Sequence, residues 1–271
     1  MKVVSFNVNG IRARLHQIKA VIEQLNPDVI GLQEVKAQDS DFPFAAIEEM
    51  GYHAETYGQK GHYGVALLSK KPALSIQKGF PFDDENAQKR LITGTYETDQ
   101  GIEYTVINGY FPQGDHRDHE PKFPYKRKFY ADLNQWLNDD FDPLKNIIVM
   151  GDFNIAATDK DVGIGAENVK RWLRTGKCAF LPEEREWFHK LESWGLVDSY
   201  RYLYPDNDSK FSWFDYRSKG FDREPKRGLR IDGILLTKPL LSTLQQADIS
   251  YPIRAMEKPS DHAPIWACCR P

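Results

Sequence analysis

Carboxylate, amide, phenol and imidazole side chains recur along the chain where short apolar runs end. The members of this set are Asn7, Asn9, Glu34, Asn108, Tyr110, Asp152, Asn154, Asp232, Asp261 and His262. Oxygen donors without cysteine suit a hard cation, magnesium or manganese, rather than structural zinc. Such a cation polarises a phosphoryl oxygen, a further carboxylate orients or deprotonates water, and an Asp–His pair holds a cationic imidazole against phosphate. The set therefore contains the parts for in-line hydrolysis of a phosphate ester.

Each of these residues also has a simpler structural interpretation. An Asn or Asp after a strand usually closes a turn by bonding its own backbone, and Asp261 beside His262 also fits a surface ion pair. Asp232 differs because Ile231 and Ile234 flank it, so we expect a partly buried carboxylate that needs a partner. Recurrence at the ends of successive strands favours one shared site over independent turns. No GxxxxGK[ST] segment is present, which argues against nucleotide-triphosphate binding by a P-loop.

These side chains must be positioned by strands that alternate with helices. Compact apolar runs predict strands at residues 3–8, 29–32, 65–68, 104–107, 147–150, 229–235 and 265–268. Apolar residues at helical spacing predict a helix at 16–25, another around 129–137 and a third that begins at Pro182. Because the chain shows neither a low-complexity linker nor a repeat, residues 1–271 read as a single α/β domain. Periodicity leaves open whether the strands form one sheet or two.

The net charge of −3 at pH 7 neither indicates nor excludes nucleic-acid binding, because phosphate contacts depend on local patches. Between residues 210 and 231, seven basic residues stand against three acidic ones, and Arg171, Arg174 and Lys177 form a second basic cluster. The alternative interpretation is a solvated surface of mixed charge. Both interpretations stay open on charge alone.

The composition and the start of the chain bear on its compartment. The first ten residues read as a strand instead of a signal peptide, and no apolar run approaches the roughly 20 residues that span a bilayer. The three cysteines, Cys178, Cys268 and Cys269, have neither metal-knuckle nor disulfide-framework spacing. We therefore expect a reduced cytoplasmic protein without a membrane partner.

Several motifs resemble those of a known family. Glu34 in GLQEVK, Asp152 and Asn154 in GDFN, and Asp261 and His262 in SDH resemble the signature of the endonuclease/exonuclease/phosphatase superfamily. The longer segments GQKGHYGVALLSK, INGYFPQG, KRWLRTGKCAFLPEEREW, FSWFDYRSKGF and MEKPSDHAP resemble its exonuclease III family, and the resemblance runs along the whole chain. It implies a four-layer α/β sandwich in which two packed mixed β-sheets lie between helices. It also implies magnesium or manganese as the cofactor, and two sheets instead of one.

The resemblance implies a DNA-repair nuclease and a role for each site residue. Such enzymes cut duplex DNA on the 5′ side of abasic sites and remove nucleotides and blocking groups from 3′ ends. Asn7, Glu34 and Asp261 would form the metal site, with Glu34 as the direct carboxylate ligand. Asp152, held by Asn154, would activate the attacking water. Tyr110 would direct a hydroxyl or phenolate at the phosphate, and Asp232 would orient His262 against a phosphoryl oxygen.

The resemblance also implies which residues contact DNA. Trp213 and Phe214 lie near Arg217, and aromatic side chains amid basic ones stack on bases, each contact contributing roughly 1–3 kcal/mol. Two adjacent aromatic residues are more often part of a core, and the family pattern favours the lesion pocket for Trp213. The candidates for backbone contacts are Arg90, Gln113, Lys122 and Lys177. We expect a monomer that binds duplex DNA.

Two features depart from the family pattern, and two other functions fit parts of the sequence. Gly233 stands where relatives carry a large apolar residue, which would loosen the strand beside Asp232. Residues 222–227 look longer and more basic than usual. One alternative is a phosphatase or phospholipase of the same superfamily that acts on inositol phosphates or sphingomyelin. The other is a DNA-binding relative without catalysis, which predicts a missing ligand or base.

Overall fold

Twelve strands form two mixed sheets in a computed structural model that describes residues 1–270. In chain order the strands are β1 Lys2–Asn7, β2 Val29–Gln33, β3 His53–Tyr57, β4 Val65–Ser69, β5 Ser75–Lys78, β6 Leu91–Glu97, β7 Glu103–Tyr110, β8 Ile147–Asp152, β9 Leu196–Asp198, β10 Asp232–Thr237, β11 Leu244–Ile249 and β12 Ile265–Cys269. The first sheet has the order β11-β12-β1-β2-β4-β3, and the second has the order β5-β6-β7-β8-β10-β9. The strands therefore form two sheets, which the periodicity of the sequence could not decide.

Helices cover the outer face of each sheet. They are α1 Leu15–Leu25, α2 Phe44–Glu49, α3 Lys122–Asp140, α4 Ala166–Thr175, α5 Pro182–Trp194, α6 Ser199–Leu203, α7 Lys238–Leu241 and α8 Tyr251–Arg254. Ile18 of α1 packs on the first sheet in one apolar cluster with Val4. Leu133 of α3 and Leu191 of α5 pack on the second sheet around Val149. The predicted four-layer α/β sandwich is confirmed.

The inner faces of the two sheets meet in a largely apolar core. Val3 and Val65 of the first sheet share an apolar cluster with Val106 and Ile148 of the second. Because the outer faces are covered as well, the central strands are buried on both sides. Burial on both sides explains why these strands read as continuous apolar runs and not as alternating ones.

The strand directions bring the polar strand ends to one edge of the sandwich. Each sheet contains one parallel pair, β1 with β2 and β7 with β8, while the other neighbours are antiparallel. The carboxyl ends of a parallel pair lie at the same edge of a sheet. Antiparallel β10 begins opposite the end of β8, so Asp232 pairs with Asp152. Residues from distant parts of the chain therefore converge because of topology.

The predicted elements agree with the structure except at one strand. The helix predicted at 16–25 is α1, which ends at Leu25 and is capped by Asn26 in the left-handed conformation just before Pro27. The helix predicted to begin at Pro182 is α5, with Pro182 in its first turn. The strand predicted at 229–235 begins only at Asp232, because the backbone of Leu229 bonds to Trp213 and that of Ile231 accepts from Phe153. Within residues 1–270, no helix is both long and apolar enough to cross a membrane.

Candidate active site

Asn7 connects the two sheets at the site. It lies at the end of β1 and is fully buried. Its Nδ2 donates to Glu34 Oε2 at 3.0 Å and to Asp152 Oδ2 at 2.9 Å. Glu34 directly follows β2 of the first sheet, whereas Asp152 ends β8 of the second. One amide therefore fixes the spacing between the carboxylate predicted to bind metal and the one predicted to activate water.

Around Glu34, oxygen donors form a small cation-binding arrangement. The Lys36 ammonium lies 2.9 Å from Glu34 Oε1 and 2.6 Å from Asn9 Oδ1. Asn9 Nδ2 donates in turn to Asp261 Oδ1 at 2.9 Å. Although burial by itself raises the pKa of Asp261, nearby His262 and the bonds from Asn9 and Trp213 lower it overall. Asp261 is therefore anionic at neutral pH and adds to the negative potential near Glu34.

His262 lies between two buried carboxylates. Its Nδ1 donates to Asp232 Oδ2 at 2.8 Å, and its Nε2 lies 3.7 Å from Asp152 Oδ2. Burial lowers the pKa of His262, but Asp232 and Asp152 outweigh this effect and raise it to about 10. The ring is therefore a cation at neutral pH, with Nε2–H free to donate toward a phosphoryl oxygen. Asp232 is buried as expected, and His262 is the partner that a buried carboxylate needs.

The surroundings of Asp152 suit a general base. Burial and the charge of Asp232 raise the pKa of Asp152 to about 7, against the opposing effects of His262, Asn7 and the Asn154 amide. A base with a pKa near the working pH combines a sufficient anionic fraction with enough basicity to accept a proton. Asn154 N–H donates to Asp152 Oδ1 at 3.0 Å, and Asn154 Nδ2 donates to the Phe111 carbonyl at 2.9 Å. Asn154 thus fixes the orientation of the Asp152 carboxylate.

Tyr110 ends β7 opposite Asp152. Burial, followed by the charges of Glu34 and Asp152, raises the pKa of Tyr110 well above its ordinary value. The hydroxyl is therefore a neutral phenol that donates a hydrogen bond. The raised pKa therefore favours the hydroxyl over the phenolate, the other form expected for Tyr110.

The backbone around the site adopts uncommon conformations. Asn9, Glu34, Lys36 and Asn154 all have φ between 46° and 55°, a region that side chains other than Asn and Asp seldom adopt. Such residues each cost on the order of 1–3 kcal/mol and persist where the surroundings hold them, often at functional sites. Gly151 of the GDFN motif has a different constraint, because a Cβ there would lie 1.9 Å from the Gly109 carbonyl oxygen on β7. A side chain at Gly151 would push apart the strands that carry Tyr110 and Asp152.

Two groups of residues are candidates for a metal site. Asp152, Asp232 and His262 place ligand-type atoms within 4.8 Å of one another and could hold a metal ion. However, a metal-binding histidine must be neutral, whereas the pKa of His262 is raised to about 10 by the carboxylates, after the opposing effect of burial. Glu34 also fits a hard cation, because it offers carboxylate oxygens at a place where the Lys36 ammonium already binds. Asp261 is linked to that place through Asn9.

Many of the candidate residues line an open cleft of about 180 Å³. Its lining residues are Glu34, Tyr110, Gln113, Asp152, Asn154, Trp172, Cys178, Ala179, Trp213, Leu229, Ile231, Asp261 and His262. Trp213 is half-buried, and its Nε1 donates to Asp261 Oδ2 at 3.0 Å. A larger cavity of about 260 Å³ is lined by Asp28, Lys71 and Tyr96, among others, and contains none of the predicted site residues.

Two of the predicted DNA contacts lie beneath the surface. Phe214 has no exposed area and packs against Phe221 and Tyr251, so its assignment as a DNA contact is wrong. Adjacent residues of an extended segment point to opposite sides, which sends Trp213 to the cleft and Phe214 to the interior. Arg90 is 6% exposed, stacks on Tyr110 at 4.8 Å and donates to the Tyr110 carbonyl at 3.1 Å. This burial corrects the assignment of Arg90 as a DNA-backbone contact, because its guanidinium is occupied by the ring and the carbonyl of Tyr110.

The other predicted backbone contacts are exposed, and two of them, Gln113 and Lys177, lie at or beside the cleft. Gln113 lines the cleft, and Lys122 pairs with Asp115 at 3.1 Å. Lys177 places its ammonium 4.2 Å from the centroid of Trp172, which also lines the cleft. Arg217 lies in the exposed loop that follows Trp213.

Both departures from the family pattern have a structural description. A Cβ added at Gly233 would lie 3.0 Å from the ring of Phe153, a buried residue. The Phe153 ring therefore occupies the space that a side chain at Gly233 would take. Residues 222–227 form the outer end of a loop whose base is closed by backbone bonds between Trp213 and Leu229. Arg223 and Arg227 are exposed there.

The structure adds site residues that the sequence did not reveal. Lys36 bridges Glu34 and Asn9. Nothing in the sequence around GLQEV indicated this contact. Ser212 accepts hydrogen bonds from the backbone of Ile231 and Asp232 at 3.0 Å and so fixes the start of β10. Asn108, predicted among the strand-end residues, instead donates to the Leu32 and Ala66 carbonyls across the sheet interface.

Known proteins of similar sequence and structure are nucleases and a phosphatase. The chain is 59% identical over 267 residues to exodeoxyribonuclease III of Haemophilus influenzae, covering 98% of this chain and 99% of that protein. It is similar to the structure of a 3′ phosphatase from Neisseria bound to product DNA hairpin, with a TM-score of 0.89, 35% identity and coverage of 100% and 99%. It is also similar to an AP endonuclease from Archaeoglobus fulgidus, with a TM-score of 0.90, 32% identity and full coverage of both chains. Residues 4–262 match the profile of the endonuclease/exonuclease/phosphatase family. The chain therefore belongs to the endonuclease/exonuclease/phosphatase family.

Proposed function

We propose that this protein is a magnesium-dependent DNA-repair nuclease. It hydrolyses the phosphodiester on the 5′ side of an abasic site, degrades duplex DNA from 3′ ends and removes 3′ blocking groups. The observation that carries the proposal is the connection from Glu34 through Asn7 to Asp152 and on to His262 and Asp232. It combines an oxygen-donor cation site, a general base and an imidazolium at one cleft. The similarity to exodeoxyribonuclease III of Haemophilus influenzae supports DNA as the substrate.

The residues around the cleft divide the chemistry among themselves. Asp152, whose pKa burial and Asp232 raise to about 7, accepts a proton from the attacking water. His262 donates from Nε2 to a nonbridging phosphoryl oxygen, and Asp232 holds its ring through Nδ1. The Tyr110 hydroxyl donates a hydrogen bond to the same phosphate. These donors are already in place and partly desolvated, so they stabilise the charge that develops on the phosphate at little reorganisation cost.

The proposed metal site consists of Glu34, Asn7 and Asp261, with Glu34 as the direct carboxylate ligand. A bound magnesium ion supplies Lewis-acid polarisation of the phosphate, and manganese would substitute for it. Oxygen-only donors and the presence of the Lys36 ammonium at Glu34 support this assignment. Lys36 must release Glu34 Oε1 for that oxygen to bind the ion.

Recognition of the abasic site is assigned to Trp213. Its ring lines the cleft, and its indole N–H donates to Asp261. Both observations support a role for the aromatic surface beside the reacting phosphate. Gln113, Lys122, Lys177 and Arg217 are proposed to hold the DNA backbone. We further propose that the chain acts as a monomer, forms a single domain over residues 1–271 and works in the cytoplasm.

A panel of substrates tests the proposal against its alternatives. The protein would be incubated with magnesium and one of four substrates: an abasic duplex, a duplex ending in a 3′ phosphate, an inositol polyphosphate or sphingomyelin vesicles. Cleavage of the abasic duplex and release of the 3′ phosphate are expected. Turnover of the inositol or lipid substrate alone would identify a phosphatase or phospholipase. Binding of DNA without any turnover would identify an inactive relative.

A further inference from the structure

A buried ion pair lies behind the cleft, between Lys126 of α3 and Glu184 of α5. Neither side chain has any exposed area, and Lys126 Nζ lies 2.5 Å from Glu184 Oε1. Burying two charges is unfavourable unless each is paired and fully hydrogen-bonded. An apolar pair of similar volume would usually give equal or greater stability. The presence of charges here therefore points to directional bonds that apolar side chains do not provide.

Lys126 uses all three of its donors on separate segments. Besides Glu184, its ammonium donates to the Asn154 carbonyl at 2.8 Å and to the Gln113 carbonyl at 3.2 Å. The loop after β8 carries Asn154, whose N–H orients Asp152. The loop after β7 carries Gln113, which lines the cleft. One ammonium group thus fixes the relative position of two strand-end loops of the site.

Glu184 extends the arrangement to a third segment. Its Oε2 accepts a hydrogen bond from Leu181 N–H at 2.9 Å, which holds the connection between α4 and α5. That connection includes Lys177 and Cys178, and Cys178 N–H donates to the Asp115 carbonyl at 3.0 Å. Burial raises the pKa of the Cys178 thiol to about 12, so this neighbour stays neutral. Lys126 and Glu184 are therefore the charged groups at the point where the three segments meet.

We propose that Lys126 and Glu184 are positioning residues for catalysis, whose buried ion pair sets the geometry of the Gln113, Asn154 and Lys177 segments. The pair touches neither substrate nor metal and acts through the backbone carbonyls that it binds. This inference rests on the proposed function for its activity readout, while its structural readout is independent of any substrate.

Paired variants separate positioning from stability. Lys126→Met alone leaves Glu184 charged and buried, so its thermal midpoint should fall. The double variant Lys126→Met/Glu184→Gln removes both charges and keeps an oxygen that accepts from Leu181 N–H, so it should recover most of that loss. Lys128→Met is the matched control, because Lys128 lies on the same helix with an exposed side chain.

The experiment measures two quantities for each variant well below its thermal midpoint. Amide hydrogen exchange should be at least about tenfold faster at residues 111–116 and 153–157 in the double variant, because those carbonyl bonds are lost. On an abasic duplex, kcat should fall at least about tenfold while the Lys128→Met control keeps wild-type values. Wild-type exchange or wild-type kcat in the stable double variant would each overturn the inference. An inactive wild-type protein would instead contradict the proposed function, and the exchange measurement would still test the positioning role.

Discussion

Asp152 and Asp232 lie directly opposite each other on neighbouring antiparallel strands, and His262 approaches both carboxylates. Two buried carboxylates at this spacing would repel each other without a cation between them. The imidazolium bonds Asp232 Oδ2 directly at 2.8 Å but approaches Asp152 only to 3.7 Å. Asp152 therefore keeps a raised pKa, while Asp232 stays paired. The same register that joins β8 to β10 thus gives the two carboxylates different roles.

Replacement of Asp152 tests its assignment as the base. Asp152→Asn preserves shape and the bond from Asn154 N–H but removes the proton acceptor. Turnover on abasic duplex should fall by on the order of 10²–10⁴, while DNA affinity is retained. Asp139→Asn on the exposed face of α3 is the control. Turnover close to wild type in Asp152→Asn would remove Asp152 from the mechanism.

Replacement of Glu34 tests the proposed metal site. Glu34→Gln keeps an acceptor for Asn7 but removes the charge, so the magnesium concentration required for half-maximal activity should rise at least about tenfold. Direct titration with manganese should show the same loss of affinity without any substrate. Glu48→Gln, on the exposed face of α2, should leave both curves unchanged. An unaltered metal titration for Glu34→Gln would place the ion elsewhere.

Two substitutions at Trp213 separate its ring from its indole N–H. Trp213→Ala should reduce abasic-site cleavage much more than affinity for undamaged duplex, because the aromatic surface beside the phosphate is lost. Trp213→Phe keeps a ring but loses the bond to Asp261, so it should lie between wild type and the alanine variant. Both cleavage and binding would be measured on matched duplexes. Equal losses on damaged and undamaged DNA would indicate a purely structural role.

The His262 ion pair predicts how stability depends on pH in EDTA. Burial lowers the pKa of His262, but Asp232 and Asp152 raise it to about 10, above the unfolded value of about 6.5. A raised folded pKa gives stability that is fully present below about pH 6.5 and is lost as pH rises toward 10. The difference in thermal midpoint between wild type and His262→Gln should therefore shrink from pH 6 to pH 10. A constant difference across that range would contradict a protonated His262.

The sequence predicted the residues that carry out the chemistry better than the buried residues that position them. Glu34 and Asp152 were found because polar residues at the ends of apolar runs meet at one edge when the strands share a direction. His262 comes before β12, which runs antiparallel to β1, so it lies at the same edge as the end of β1. Lys126 gave no such signal, because a lysine within a charged helical segment reads as exposed, and its burial depends on packing between α3 and α5. Phe214 was misassigned for a related reason. Its neighbour Trp213 faces the cleft, but Phe221 and Tyr251 enclose Phe214 from distant positions in the chain.

The most direct test of the central claim uses a duplex labelled at both ends with one abasic site. The protein would be incubated with it in magnesium and in EDTA, and the product ends would be mapped at nucleotide resolution. We predict a magnesium-dependent break immediately 5′ to the abasic site, followed by trimming from the new 3′ end. A duplex that stays intact in magnesium, or a break at the same position in EDTA, would contradict the account.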